Sequence, residues 1–194
     1  MRKGGSVVSN RPKRQENRKL LIVTEGEITE VQYLQRLIQH LRTAGVTVVP
    51  CALKAGGGEP SRVLATARKL AAKDDYEAVW VVVDVDEHAS LNDVLRECAG
   101  SAETVVVSNP QFEVWLLWHL TDSGASHTAA SLKKELRRHG FTGTCKHLPT
   151  DFPVSSVEQA VALATHRTRA TALNTQGPNP SSAMPHLVEA LRGR

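Results

Sequence analysis

Carboxylates gather at two points of this chain, each at the end of an apolar run. In "LLIVTEGEITE", residues 20–30, the hydrophobic residues stop at Thr24, and Glu25, Glu27 and Glu30 follow within six positions. In "VWVVVDVDEH", residues 79–88, five apolar residues lead from Val79 to Asp84, with Asp86 two positions on. Side chains alternate along a strand, so Asp84 and Asp86 point to the same side. Two such carboxylates repel each other, and in a dry setting both resist ionisation unless a cation sits between them. An all-oxygen donor set suits Mg²⁺ or Mn²⁺. Asp-x-Asp alone is a weak signal, since it also occurs in sugar-nucleotide transferases, aspartyl phosphatases, phosphoacceptor domains and plain turns. Its conjunction with Glu25, at the end of a second buried-type strand, makes Glu25, Asp84 and Asp86 the candidate metal ligands and catalytic residues. Phosphodiester cleavage is the chemistry such a set serves, through a metal that polarises phosphate and acidifies a water. Glu25 could act there as base or as ligand, because either role needs its carboxylate within about 3 Å of the same water.

Other polar residues fall close to these in sequence or on the same sheet edge. Carboxylates in the first turn of a helix are favoured by its dipole, which accounts for Glu27 and Glu30; Glu30 is kept as a supporting candidate. His88 follows the aspartate pair. In "SNPQFEVWLLWHL", Phe112, Trp115, Leu116 and His119 recur at helical spacing and read as core. Asn109 reads as the N-cap of that helix, with Pro110 at its first position, and Asn109 and Glu113 are candidates at its entrance. Lys54 stands before "AGGGEP", a glycine-rich link whose amides could cradle an anion but which lacks the Gly-Lys-Ser/Thr ending of a nucleotide-binding loop. "KKELRRHG" sets Lys133, Lys134, Arg137 and Arg138 mainly along one helical side, either a solvated face or a contact for a nucleic-acid backbone.

The elements that must position these groups alternate. Strand-like runs are "KLLIVT" (19–24), "VTVVP" (46–50), "AVWVVVD" (78–84) and "TVVVS" (104–108), continuous and rich in β-branched residues, as parallel strands covered on both faces should be. Between them lie helical patterns over 29–45, 59–73 and 90–100. The order βαβαβαβα implies an α/β fold with an open, mostly parallel four-stranded sheet and right-handed crossovers. Ligands in such sheets bind outside the carboxyl ends of the strands, where Glu25 and Asp84 fall. From residue 109 the pattern is wholly helical, with "SLKKELRRHG" closed by Gly140, a helix over about 155–170, a turn-rich break at "NTQGPNPSS" and a last helix "AMPHLVEALR". The organisation expected is a basic flexible leader (1–18), an α/β core (19–120) and a helical extension packed on it (121–194).

Composition bounds the class. With 194 residues, 41% hydrophobic and 23% charged, the chain has the size and balance of one soluble domain, and no apolar run approaches the roughly 18 residues of a membrane span. Cys51, Cys98 and Cys145 lie too far apart for a disulfide framework or a zinc-ligand spacing, which fits reduced thiols in cytoplasm. Residues 1–19 hold seven basic residues against Glu16 alone, a net +6, so the rest carries −2 of the overall +4. An arm attracted to phosphate or a solvated tail both fit; it has no aromatic to stack a base.

A hydrophobic strand ending in Glu-Gly, "LLIVTEGE", and a later one ending in Asp-x-Asp, "VVVDVDEH", resemble the TOPRIM domain of topoisomerases, bacterial primases and OLD-family nucleases. More narrowly, "TEGEITE", "DVDEH", "SNPQFEVWLLWHL" and "NPSSAMPHLVEAL", in that order, resemble the RloB-like family of prokaryotic abortive-infection proteins, and the Arg-rich leader fits it. The likeness covers nearly the whole chain. A TOPRIM resemblance implies a compact parallel sheet in which Glu25, Asp84 and Asp86 converge on one or two Mg²⁺ ions; "EHAS" follows Asp86 where many members place a glycine. The family likeness also implies a phosphate-binding lysine at Lys146, in "TCKHLPTDF". The function expected is a Mg²⁺-dependent, cytoplasmic nuclease acting on DNA or RNA in defence against phage or mobile elements. The alternative is a non-catalytic module that binds nucleic acid or a metal-bound nucleotide beside a partner defence protein. A phosphoacceptor or phosphatase fits less well, since "TVVVSNP" ends in no lysine and the first strand carries Glu where such domains need Asp.

Overall fold

The computed structural model describes residues 19–85, 89–143, 145–166 and 171–194. The leader, Asp86 and His88 therefore lie outside the described residues. The chain forms an α/β fold with a five-stranded, mostly parallel sheet in the order β2-β1-β3-β4-β5. Its strands are β1 (Leu20–Thr24), β2 (Cys51–Ala55), β3 (Ala78–Asp84), β4 (Glu103–Asn109) and the two-residue β5 (Ser181–Ser182). The helices are α1 (Thr29–Thr43), α2 (Pro60–Ala71), α3 (Leu91–Cys98), α4 (Glu113–Leu117), α5 (Ala129–Arg138), α6 (Val157–Thr165) and α7 (Met184–Leu191).

Alternation along the strands divides the interior in two. Leu21, Val23, Val79, Val81, Val83, Val105 and Val107 face α2 and α3, whose Val63, Leu64, Leu91, Val94 and Leu95 cover them. Leu20, Ile22, Trp80, Val82 and Val106 face the opposite layer, built from α1 and from α4 to α7. The valine-rich strands thus bury both faces, as parallel strands do. The two-residue alternation puts Thr24, Asp84 and Ser108 on the side of α1 and α4.

Three expectations are corrected. The β-branched run at 46–50 is not a strand: Val48 is buried in the helical layer, the Val49 amide donates to Leu191 O of α7, and β2 begins only at Cys51. Hydrophobicity in that run marks burial against helix ends, while the true edge strand, half-exposed, is the less apolar "CALKA". Second, the sheet has five strands, because Ser108 and Asn109 pair antiparallel with Ser182 and Ser181 from a stretch expected to be a turn-rich break between helices. Third, Asn109 is the last residue of β4 and not an N-cap; α4 starts four residues later, after the cis Asn109–Pro110 bond. The pairing partner of Asn109 lies 72 positions away, beyond the reach of any local capping signal.

Candidate functional site

The carboxyl ends of β1 and β3 lie side by side, with Thr24 in register with Val82. One residue on, the Glu25 amide still donates to Val82 O (2.9 Å), so the ladder carries Glu25 to the last rung before the chain turns away. There its side chain bends back to β3, and Glu25 Oε2 accepts the Asp84 amide at 3.2 Å. The Asp84 carboxylate is fixed in turn: its Oδ1 accepts the Phe112 amide, 2.8 Å away, at the entrance of α4. The structure therefore brings Glu25 and Asp84 together, both half-buried.

Beneath them the β1–α1 turn closes over a third carboxylate. Thr24 Oγ1 donates to Gly26 O (2.8 Å), and the Gly26 amide donates to Glu30 Oε1 (3.0 Å). A Cβ at position 26 would stand 1.9 Å from Glu30 Oε2, so only glycine lets the turn lie on that carboxylate. Glu30 is 7% exposed and makes no ion pair among the described residues. Burial above all, then the nearby charges of Glu113 and Glu25, pushes its carboxyl up to about 7, against the bonds from its own and the Gly26 amide. Glu30 does stand in the first turn of α1, where its carboxylate takes its own amide, and the charges of Glu113 and Glu25 act on it there. Glu27, by contrast, is exposed and lies over Gly57, whose added Cβ would be 2.8 Å from Glu27 Oε1.

The remaining candidates lie on neighbouring elements. Lys54 is exposed near the end of β2, ahead of the glycine-rich link that leads into α2. Asn109, 8% exposed, donates from Nδ2 to Gly177 O (2.8 Å), tying the end of β4 to the chain that leads into β5. Lys146 is exposed, and its carbonyl accepts Thr29 Oγ1 at 2.8 Å, one residue from Glu30. That bond is the first of a series. Gln32 Oε1 accepts the Leu148 amide (3.0 Å), Gln32 Nε2 meets His147 Nδ1 (3.3 Å), and Arg36 Nη1 donates to Pro149 O (2.5 Å). Residues 145–149 thus form a strap held along α1 beside the acidic turn. Two groups escape a reading of side-chain types: the Phe112 amide, a backbone donor with no signature, and Gln32, whose only clue is the polar i, i+3, i+7 row Thr29–Gln32–Arg36.

The donor chemistry, oxygen throughout, fits a hard cation. A carboxylate oxygen accepts in more than one direction, so the amide bonds to Glu25 and Asp84 do not compete with a metal. Among the described residues no three His, Cys, Asp or Glu side chains stand close enough to form a ready ligand group, and Asp86 lies outside them. The pair Glu25–Asp84 is what the structure shows.

The family model described as RloB-like protein matches residues 20–191. This chain belongs to the RloB-like family. Comparison with curated proteins and with solved structures gave no match. The family match runs from the first residue of β1 to the last of α7, so in this RloB-like protein it takes in the carboxylate edge, the strap and β5 together. Among the described residues no helix is long and apolar enough to cross a membrane.

Proposed function

We propose that this RloB-like protein is a TOPRIM-type nuclease that hydrolyses phosphodiester bonds with Mg²⁺ or Mn²⁺, employed in prokaryotic defence against phage. One observation carries the proposal: the Glu25 carboxylate reaches back from the end of β1 to the amide of Asp84 at the end of β3. The motif order described above supports the defence role.

Glu25 and Asp84, joined by Asp86, would hold the metal, which when bound polarises phosphate and lowers the pKa of a water. The chain's own residues position that chemistry. The Phe112 amide limits rotation of the Asp84 carboxylate, and the Asp84 amide does the same for Glu25, so both are aimed before any ligand arrives. Glu25 would serve there either as metal ligand or as the base that takes a proton from the attacking water. Glu30 fixes the turn through the Gly26 amide.

The test is incubation of the full chain with single- and double-stranded DNA and RNA, with and without Mn²⁺. Metal-dependent cleavage that falls about a hundredfold or more in Glu25→Gln and in Asp84→Asn is expected. Cleavage that survives either change unaltered in a clean preparation, or binding with no cleavage of any of the four substrates, would contradict the proposal; the latter result favours the non-catalytic binding module.

A further inference from the structure

The strap at 145–149 follows α5 in the chain. Leu132 and Leu136 bury one side of that helix, which leaves Lys134, Arg137 and Arg138 exposed and Lys133 half-buried on the other. Beyond Gly140 the chain folds back: Arg137 Nη2 donates to Gly143 O (3.1 Å), and Cys145 Sγ lies 3.9 Å from Lys133 O. The strap then carries Lys146 and His147, both exposed, onto the first turns of α1, where Thr29, Gln32 and Arg36 hold it. The backbone of α5 is therefore tied to the strap through Cys145, and the strap in turn to the first turns of α1. Glu135, paired with Arg138 at 2.8 Å, is the acidic residue on α5.

A surface of this kind attracts phosphate, and the aromatic residues say which form. The chain has eight: three Trp, three Phe and two Tyr. Trp80, Trp115, Trp118, Phe112, Phe141, Phe152 and Tyr33 are all buried. Tyr76 alone is half-exposed, and it precedes β3, at the edge of the sheet opposite the carboxylates, with Lys19 Nζ 4.8 Å over its ring. Binding of unpaired bases relies on aromatic stacking, worth about 1–3 kcal/mol per base. No aromatic platform exists here, so a single strand gains nothing from its exposed bases, while a duplex offers denser charge at no such loss. At about 1.5 Å per residue, the ten residues of α5 span about 15 Å, the axial length over which one duplex strand sets about four phosphates.

We propose that the exposed side of α5 and the strap at 145–149 form a docking surface for double-stranded nucleic acid, gripped by its phosphate backbone and without reading of bases. This inference rests on the nuclease proposal for the identity of the partner. Binding is therefore measured in EDTA, where catalysis plays no part and the two proposals fail separately.

The full chain is titrated against labelled 20-base-pair duplex DNA, duplex RNA and the matching single strands over a series of salt concentrations. The variant Lys134→Gln/Arg138→Gln/Lys146→Gln removes three charges whose side chains do not hold the strap. Lys69→Gln/Lys73→Gln/Arg96→Gln removes three exposed charges on and beside α2 and α3, across the sheet. The leader is common to all, so the difference between the two variants isolates the surface. A duplex of either type bound at least as tightly as single strands is expected, with at least tenfold weaker binding and a salt slope lower by about two to three in the first variant only. Equal losses in both variants, no loss in the first, no binding at all, or single strands bound more than tenfold tighter than duplex would each overturn it.

Discussion

Two regions on α1, one turn apart, bury titratable groups to opposite ends. Glu30, in the first turn, faces other carboxylates, and burial with their charge pushes it up to about 7. Tyr33, three residues on, closes a ring of aromatics with Phe112, Trp115 and Phe152, in which the Tyr33 hydroxyl lies 3.1 Å from His119 Nε2. Burial pushes His119 down to about 4. In each place the low dielectric suppresses charge, but only the second is closed. His119 Nδ1 lies 3.0 Å from Trp115 O while Nε2 meets Tyr33, so a neutral imidazole has a partner at both nitrogens. Glu30 has amide partners at the turn and acidic neighbours above it. A polar group whose bonds are all internal is architecture; one held beneath like charges at a strand end is a place where a cation would relieve the repulsion.

The largest effects should separate the two regions by activity. Asp84→Asn is expected to lower metal-dependent cleavage by about a hundredfold or more while leaving the melting temperature within a few degrees of wild type. An equal loss of activity in a folded Tyr33→Phe protein would erase the distinction.

Next comes the pH dependence of stability. Glu30 binds its proton more tightly folded than unfolded, so its contribution is full below the ordinary value of 4.5 and is lost as the pH rises through about 7. The loss amounts to about 3 kcal/mol at 1.36 kcal/mol per pKa unit. In metal-free buffer Glu30→Gln should therefore be more stable than wild type at pH 8 and little different at pH 4, by denaturant titration. A variant less stable at pH 8 would show that the carboxylate is favourably compensated. His119 acts in the opposite sense: its contribution is present above 6.5 and is lost as the pH falls toward about 4.

A smaller effect belongs to the closed region. Tyr33→Phe leaves His119 Nε2 without its partner, at a cost of about 1–2 kcal/mol, with no change in metal-dependent cleavage. Smallest is the cap of α5. Thr128 Oγ1 accepts the Ser131 amide and Ser131 Oγ accepts the Thr128 amide, so Thr128→Ala should cost about 1 kcal/mol and weaken duplex binding only as α5 frays.

Much of this was legible where local pattern and tertiary role agree. β1, β3, β4 and α1 to α3 follow from apolar runs and helical spacing, and Glu25 and Asp84 stand where buried strands end in acid. What was hidden depends on distant partners. The run at 46–50 is as β-branched as any strand, yet it caps the layer of α1 and α7. Asn109 looks like an N-cap until Ser181 claims its backbone for the sheet. Lys146 could be noted by its type, but its place against the first turn of α1 is set by Thr29, Gln32 and Arg36 through bonds to backbone atoms that leave no trace in residue identity.

The central claim is that Glu25 and Asp84 share one cation. Anomalous scattering from a crystal of the full chain soaked in Mn²⁺ tests it directly. A peak within bonding distance of both carboxylates, about 2.1–2.3 Å from an oxygen of each, is the predicted result. A fully soaked crystal with no peak at that edge, or with Glu25 turned away from Asp84 and the metal elsewhere, would contradict it.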